Sequence, residues 1–179
     1  MPVSHHSFAS RQKGAGLIEV LVAVLVVTLG LLGAAGMHVR SVEFTMDTER
    51  RQMASMVATE LLETMRSDTS NVLGVDGKPL ANLGGYKKEA GASVSTVTAA
   101  DCQPLTADPA KRVGCWIERA KKLMPELTDE LVDDEFAVTT TNGVVTVTVA
   151  WPTKKGQCLS NEDGAEDDEF CTYTLQSRL

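Results

Sequence analysis

The sequence predicts an α+β protein in which a long N-terminal helix, membrane-spanning in its first half, packs against a small antiparallel sheet with a short extra helix. Three observations predict it. Residues 20–37 contain no charged residue, a helical pattern continues beyond them, and a hairpin signal stands near the C-terminus. With 179 residues, 43% of them hydrophobic, the chain is long enough for one compact domain and such an appendage.

The apolar segment is long enough to cross a membrane. Extended back to Ala15, it contains a single charged residue, Glu19, and as a helix its roughly 23 residues span about 34 Å. Because Arg11 and Lys13 precede it, the positive-inside rule keeps the N-terminus in the cytoplasm and predicts that the chain after Met37 is exported. A cleaved secretory signal and a plain uncleaved anchor remain as alternatives, but neither explains the acid.

The helical pattern continues after the apolar segment. It predicts one nearly continuous helix from about Leu17 to Arg66, because apolar residues recur on one side at steps of four or seven. This stripe, which we expect to contact the rest of the protein, consists of Val42, Met46, Met53, Val57, Leu61 and Met65. The opposite, polar side consists of Glu43, Asp47, Arg51, Ser55, Thr59 and Glu63.

A second, shorter helix is predicted from Asp108 to about Met124. Asp108 is a suitable N-cap, and Pro109 suits a first helical turn. We expect its positive charges to form a solvated face, with docking of an acidic partner or DNA as the alternative. They are Lys111, Arg112, Arg119, Lys121 and Lys122.

A β-hairpin is predicted between Phe136 and Trp151. Its turn is Asn142-Gly143, the pair that two-residue hairpin turns favour. Residues 170–177 add a further antiparallel strand, and residues 93–98 carry a weaker strand signal. Residues 133–135, three acids in succession, are interpreted as a charged turn.

Charge and histidine content argue against several functions. The formal net charge of −7 disfavours nucleic acid or anionic lipid as a partner. No histidine follows His38, so the predicted head domain has neither the commonest general base nor the commonest metal ligand. With no recognisable nucleophile motif either, we expect no catalytic site, no cofactor and no resident metal.

Four cysteines follow the helical region: Cys102, Cys115, Cys158 and Cys171. Export makes disulfides the default state, and zinc is disfavoured because no Cys-x-x-Cys pair or neighbouring histidine exists. Pairing each cysteine with its neighbour would close two loops, but three pairings are consistent with the sequence. The acidic loop 161–169 inside the second of these loops is expected to be solvated. Calcium binding is the alternative, but we predict no site there because the spacing does not match an EF-hand.

The N-terminus resembles that of prepilins, whose basic leader ends in Gly, with Glu five residues later and then a long apolar run. The matching residues are Gly14 and Glu19, although most members have Phe where this chain has Ala15. The resemblance implies that a prepilin peptidase cuts between Gly14 and Ala15 and that Ala15 is then N-methylated. It also implies that Glu19 pairs with the N-terminal amine of a neighbouring subunit and so fixes the register of the filament.

The wider chain resembles minor pilins of the PilV type in ELLETMRSD, RVGCW, VAW before KKGQC, and the final Cys171-Thr-Tyr. The implied fold is the pilin lollipop. It has a leader (1–14), a transmembrane and filament-core half of the helix (15–37), an amphipathic half (38–66) and a periplasmic head (67–179).

The implied function is priming and assembly of the type IV pilus, from the inner membrane and at the pilus tip. The implied partners are other minor pilins, the major pilin, the prepilin peptidase and a tip adhesin. A minor pseudopilin of a type II secretion system shares the same N-terminus and remains as an alternative. An exported binding module with a plain anchor is a further one.

Overall fold

The computed structural model describes residues 15–104, 106–154, 158 and 169–179. In chain order the elements are α1 (Ala15–Ser67), α2 (Thr69–Val72), a 3-10 turn (Leu83–Gly85), α3 (Ala99–Cys102), α4 (Pro109–Leu123), α5 (Asp129–Glu135), β1 (Ala137–Thr141), β2 (Val144–Pro152) and β3 (Phe170–Ser177). The predicted fold class is confirmed: a long apolar N-terminal helix, a small antiparallel sheet, a few short helices and two disulfides.

The chain divides into two compact units, Met1–Phe44 and Thr45–Leu179. The described part of the first unit is helical throughout, and Asp47 is the first buried residue among those that the structure describes. The second unit contains the rest of α1, the sheet and the shorter helices. The hydrophobic core, as far as the chain is described, therefore belongs to the second unit alone.

α1 is one helix of 53 residues, as the periodicity predicted. Its apolar stripe is buried from Val57 onward, with Val57, Leu61 and Met65 at most 1% exposed. The prediction is wrong at the N-terminal end of the stripe, because Met46 is 49% exposed and Asp47, on the predicted polar side, is buried. The carboxylate Oδ1 of Asp47 instead lies 3.8 Å from Sγ of Cys171 on β3.

The sheet has the order β1-β2-β3 and is antiparallel throughout. The hairpin prediction is confirmed: Asn142 and Gly143 both have positive φ, 53° and 78°, as a type I′ turn requires. Alternating residues of β2 are fully buried, because the period of two puts them on the inner face of the sheet. They are Val145, Val147, Val149 and Trp151.

α4 confirms the second predicted helix. Asp108 Oδ1 accepts a hydrogen bond from the backbone N–H of Ala110 at 3.0 Å, and Pro109 occupies the first turn. The helix buries Trp116 and Ile117. At its C-terminal end the backbone N–H of Met124 donates a hydrogen bond to the backbone oxygen of Ala120.

The weak strand predicted at residues 93–98 is absent. This segment crosses α4 instead of pairing with the sheet. A Cβ added to Gly114 would lie 2.7 Å from Cγ1 of Val97 and 2.8 Å from the backbone oxygen of Ser95. The approach requires glycine on α4, a signal that neither propensity nor periodicity contains.

The acidic turn predicted at residues 133–135 is also wrong, because these residues end α5. Thr128 caps the helix by accepting a hydrogen bond from the N–H of Leu131 at 3.1 Å. Asp129 and Glu130 lie in the first turn, where negative charge is favourable.

Both disulfides join sequence neighbours: Cys102 with Cys115 and Cys158 with Cys171. In each, the Cα atoms are 5.5 Å apart, within the usual range for a disulfide. The first ties α3 to α4, and the second ties residue 158 to β3. Of the three pairings open from the sequence, the structure therefore has the local one.

Candidate assembly surface and polar sites of the head

The exposed apolar part of α1, residues 16–36, is the candidate assembly surface. An 18-residue window of α1 has a mean hydropathy of 2.6 and contains no buried residue, and by length and composition the helix could cross a membrane. Leu17 is 80% exposed and Leu32 70% exposed. Apolar area of this size does not stay in water, so lipid or another polypeptide has to cover it.

Glu19 lies exposed in this surface, one turn after the start of α1 at Ala15. Over the described residues, no side chain forms an ion pair or hydrogen bond with Glu19. The expected peptidase cleavage site lies between Gly14 and Ala15. Gly14 and the rest of the leader lie outside the described residues.

The surface also contains a threonine, whose hydroxyl is hydrogen-bonded, and three glycines near its C-terminal end. The hydroxyl of Thr28 donates to the backbone oxygen of Leu25 at 2.9 Å, so it adds no unsatisfied donor to an apolar helix. A Cβ added at Gly30, Gly33 or Gly36 would have no neighbour within 4 Å. Packing within this chain therefore does not require glycine at any of the three positions.

The head contains a buried polar cluster that sequence reasoning missed, formed by Asp68, Tyr86 and Arg112. Oδ2 of Asp68 accepts from the Tyr86 hydroxyl at 2.9 Å and from Nη1 of Arg112 at 3.0 Å. Burial raises the pKa of the Tyr86 hydroxyl, although the hydrogen bond from Arg112 acts in the opposite direction. The cluster joins the residue after α1 to α4 and to the 3-10 turn. The three residues are far apart in sequence, so no motif spacing identifies them.

Lys88 is the second polar site that the sequence did not predict. Its side chain is buried, and Nζ donates to the backbone oxygens of Phe136 at 2.7 Å and Asp133 at 2.8 Å. Both oxygens lie at the C-terminal end of α5, where a cation is favoured. Burial lowers the pKa of the Lys88 ammonium, while the negative charges of α5 oppose that shift.

The positive charges of α4 are mostly neutralised within the chain. Four of the five cations form ion pairs: Lys111 with Asp101, Arg112 with Asp68, Arg119 with Glu60, and Lys121 with both Glu118 and Asp129. Lys122 has no ion pair among the described residues. Four of the five predicted surface charges thus have partners within the chain, and Arg112, whose side chain is 18% exposed in the cluster with Asp68, departs from the predicted solvated face.

A cavity of about 250 Å³ lies beside the first disulfide. It is lined by Val97, Thr98, Ala99, Cys102, Gln103, Cys115, Glu118, Arg119 and Lys122. Its one carboxylate, Glu118, is paired with Lys121 on the same helix. The lining therefore offers neither a pair of acids nor a nucleophile beside a base.

No cluster of three or more His, Cys, Asp or Glu side chains suited to a metal occurs in the part of the chain that the structure describes. Of the acidic loop 161–169, only Glu169 is among these residues. The predicted alternative of calcium binding in this loop therefore concerns residues that lie outside the described part of the chain.

Comparison of the chain with protein-family models, with curated proteins and with solved structures found no match.

Proposed function

We propose that this protein is a minor pilin of the PilV type that helps to prime and assemble a type IV pilus, in a tip complex with other minor pilins. The carrying observation is the combination of an exposed apolar helix with an exposed acid, Glu19, near its N-terminal end that has no ion pair among the described residues. A plain anchor needs only the apolar surface, whereas an assembling subunit also needs a device that fixes its register against neighbours.

Glu19 provides such a device. An ionised acid at the middle of a membrane helix costs about 2.5 to 3.5 kcal/mol, and the cost is lower near the interface and the positive end of a helix dipole. When apolar helices gather in a filament core without water, the carboxylate requires a cation, and the N-terminal amine of a neighbouring subunit supplies one. Only one axial stagger pairs the two groups, so a buried polar residue selects the register here as it does in coiled coils.

In this proposal the protein has no reaction of its own. The prepilin peptidase cuts between Gly14 and Ala15, the apolar half of α1 holds the subunit in the inner membrane, and the second unit lies in the periplasm. Its two disulfides suit an oxidising compartment. Subunits then leave the bilayer as their apolar surfaces transfer from lipid to neighbouring helices at the tip.

The decisive experiment replaces the acid. Glu19→Val and Glu19→Gln should insert in the membrane at the wild-type level but be lost from sheared pili. Glu43→Gln is the matched control, because Glu43 is an exposed acid on the same helix beyond the apolar segment. Normal incorporation of both Glu19 variants would contradict the proposed role. Mass spectrometry of the native protein tests maturation separately, with a methylated Ala15 as the expected N-terminus.

A further inference from the structure

The outer side of β3 is one edge of the sheet, and it has backbone groups without hydrogen-bond partners among the described residues. Their positions follow from the alternation of hydrogen bonds along the strand. Thr153 N donates to Glu169 O at 2.8 Å, so the odd-numbered residues at this end of β3 have their backbone groups directed toward β2. In an antiparallel pair such residues alternate with residues directed away. The N–H and C=O groups of Thr172, Thr174 and Gln176 therefore point out of the sheet.

The opposite edge of the sheet follows the same alternation and is bridged at one residue. Val138 of β1 exchanges both backbone hydrogen bonds with Lys88, at 2.8 and 3.0 Å. On the outward side of β3, Sγ of Cys158 lies 3.4 Å from the backbone oxygen of Phe170. Beyond that point, the outward backbone groups of Thr172, Thr174 and Gln176 have no hydrogen-bond partner among the described residues.

β3 also lacks the features that usually prevent edge pairing. Natural edge strands are shortened, bulged, or interrupted by proline or lysine. Residues 170–177 form a regular strand of eight residues with no charge, proline or glycine. Thr174 and Gln176 are exposed on the outer face of the sheet. An edge with these properties readily accepts an extended segment.

Charge at the two ends of β3 indicates the chemistry of that segment. Glu169 is exposed at the N-terminal end, and neither it nor the exposed Arg178 at the other end has an ion pair among the described residues. Arg66 also reaches this end, where its Nη2 donates to Oγ of Ser177 at 2.9 Å, but its Nη1 is already paired with Glu63 at 2.6 Å, so Arg178 supplies the positive charge at this end. Antiparallel pairing matches the existing sheet and is the more stable form per residue.

We propose that the outer edge of β3 binds an extended segment of a different polypeptide by antiparallel strand addition. The segment starts with an acid beside Arg178, is uncharged through its centre, and ends with a base beside Glu169. A second copy of this chain is disfavoured because the unit after Phe44 has 14 basic and 22 acidic residues, a formal charge of −8 that opposes self-association. The inference does not depend on the pilus assignment, because it uses the sheet alone.

The test uses the full chain in detergent and two labelled eight-residue peptides with capped ends. One has glutamate first, alternating threonine and valine, and lysine last; the other has the two charges exchanged. Fluorescence anisotropy should show the first peptide binding at least tenfold more tightly than the second, with the preference weakening in salt. Equal binding, a preference for the exchanged peptide, or no binding at millimolar peptide would each overturn the proposal.

Two variants and one direct measurement locate the site. Thr174→Pro removes an outward N–H that β2 does not use, a position where an edge strand tolerates proline, and should abolish binding. Thr148→Ala, on the central strand directly opposite Thr174, is the matched control and should bind normally. In the wild-type protein, bound peptide should slow amide exchange at Thr172, Thr174 and Gln176, a result that does not depend on how any variant folds. Unchanged exchange there, or a protein dimer that Thr174→Pro disperses, would contradict the proposed occupant.

Discussion

The indole N–H of Trp116 donates a hydrogen bond to the backbone oxygen of Val57 at 2.7 Å, which joins α4 to the middle of α1. Trp151, on the inner face of the sheet, is equally buried at 1% exposure. Its indole N–H has no hydrogen-bond partner in the described part of the chain. The two tryptophans therefore match in burial and differ in this hydrogen bond; Trp116 also packs against the ring of Phe136, with 5.6 Å between the ring centroids, a contact that phenylalanine can retain in part.

Replacement of each tryptophan by phenylalanine should separate packing from hydrogen bonding. Both variants lose the same volume, but only Trp116→Phe loses a hydrogen bond, a difference of about 1 kcal/mol in the free energy of unfolding. Urea denaturation followed by far-UV circular dichroism measures both. A larger destabilisation in Trp151→Phe would mean that the bond to Val57 adds no net stability.

Two glycines with similar backbone angles should differ sharply in their tolerance of alanine. Gly84 and Gly77 have φ of 66° and 72°, so both substitutions incur the left-handed strain of about 1 to 2 kcal/mol. A Cβ at Gly84 would also lie 2.3 Å from the backbone oxygen of Asn71, whereas one at Gly77 meets nothing within 4 Å. Gly84→Ala should therefore lower the thermal midpoint clearly more than Gly77→Ala. Equal shifts would show that the backbone of α2 at Asn71 moves to accommodate the added Cβ.

Low pH should weaken the ion pair between Asp101 and Lys111, which joins α3 to α4. The hydrogen bond from the Lys111 ammonium, at 2.7 Å, holds the pKa of Asp101 well below its ordinary value of 3.8, and bonds from Thr98 act in the same direction. Because the folded pKa is depressed, this contribution is fully present above pH 3.8 and is lost as the pH falls below it. The stability of Asp101→Asn should accordingly depend less on pH between 4 and 2 than that of the wild type. Parallel pH profiles would contradict the pairing.

The two disulfides should contribute similarly. Each closes a loop with a sequence separation of 13, for which the chain-entropy model gives about 3 kcal/mol. Replacing Cys102 and Cys115 together by serine, or Cys158 and Cys171 together, should each lower the free energy of unfolding by about that amount. Chemical denaturation of the two double variants provides the comparison. A near-zero effect in either would show that its loop is already ordered by other contacts.

Local signals account for the parts of the fold that the sequence predicted. The hairpin follows from Asn142-Gly143, the start of α4 from Asp108-Pro109, and the stripe of α1 from its spacing. α5 was missed because three consecutive acids resemble a turn when the cap at Thr128 is overlooked. The crossing of α4 by residues 93–98 depends on one glycine and a tertiary contact.

The candidate sites likewise differ in whether a local sequence signal identifies them. Glu19 stands out in the sequence because it is a single charge in an apolar run. Lys88 and the cluster around Asp68 were not predicted, because their partners are backbone oxygens and side chains brought together only by folding. The free edge of β3 also required the sheet order, which no local pattern provides.

Among the described residues the first buried one is Asp47, so the hydrophobic core after Phe44 does not include the apolar segment. Substitutions among residues 16–36 should therefore leave the thermal midpoint of the unit after Phe44 unchanged. Screens that select variants by heat resistance alone do not detect damage in that stretch, and an assay in lipid or in an assembled fibre is needed.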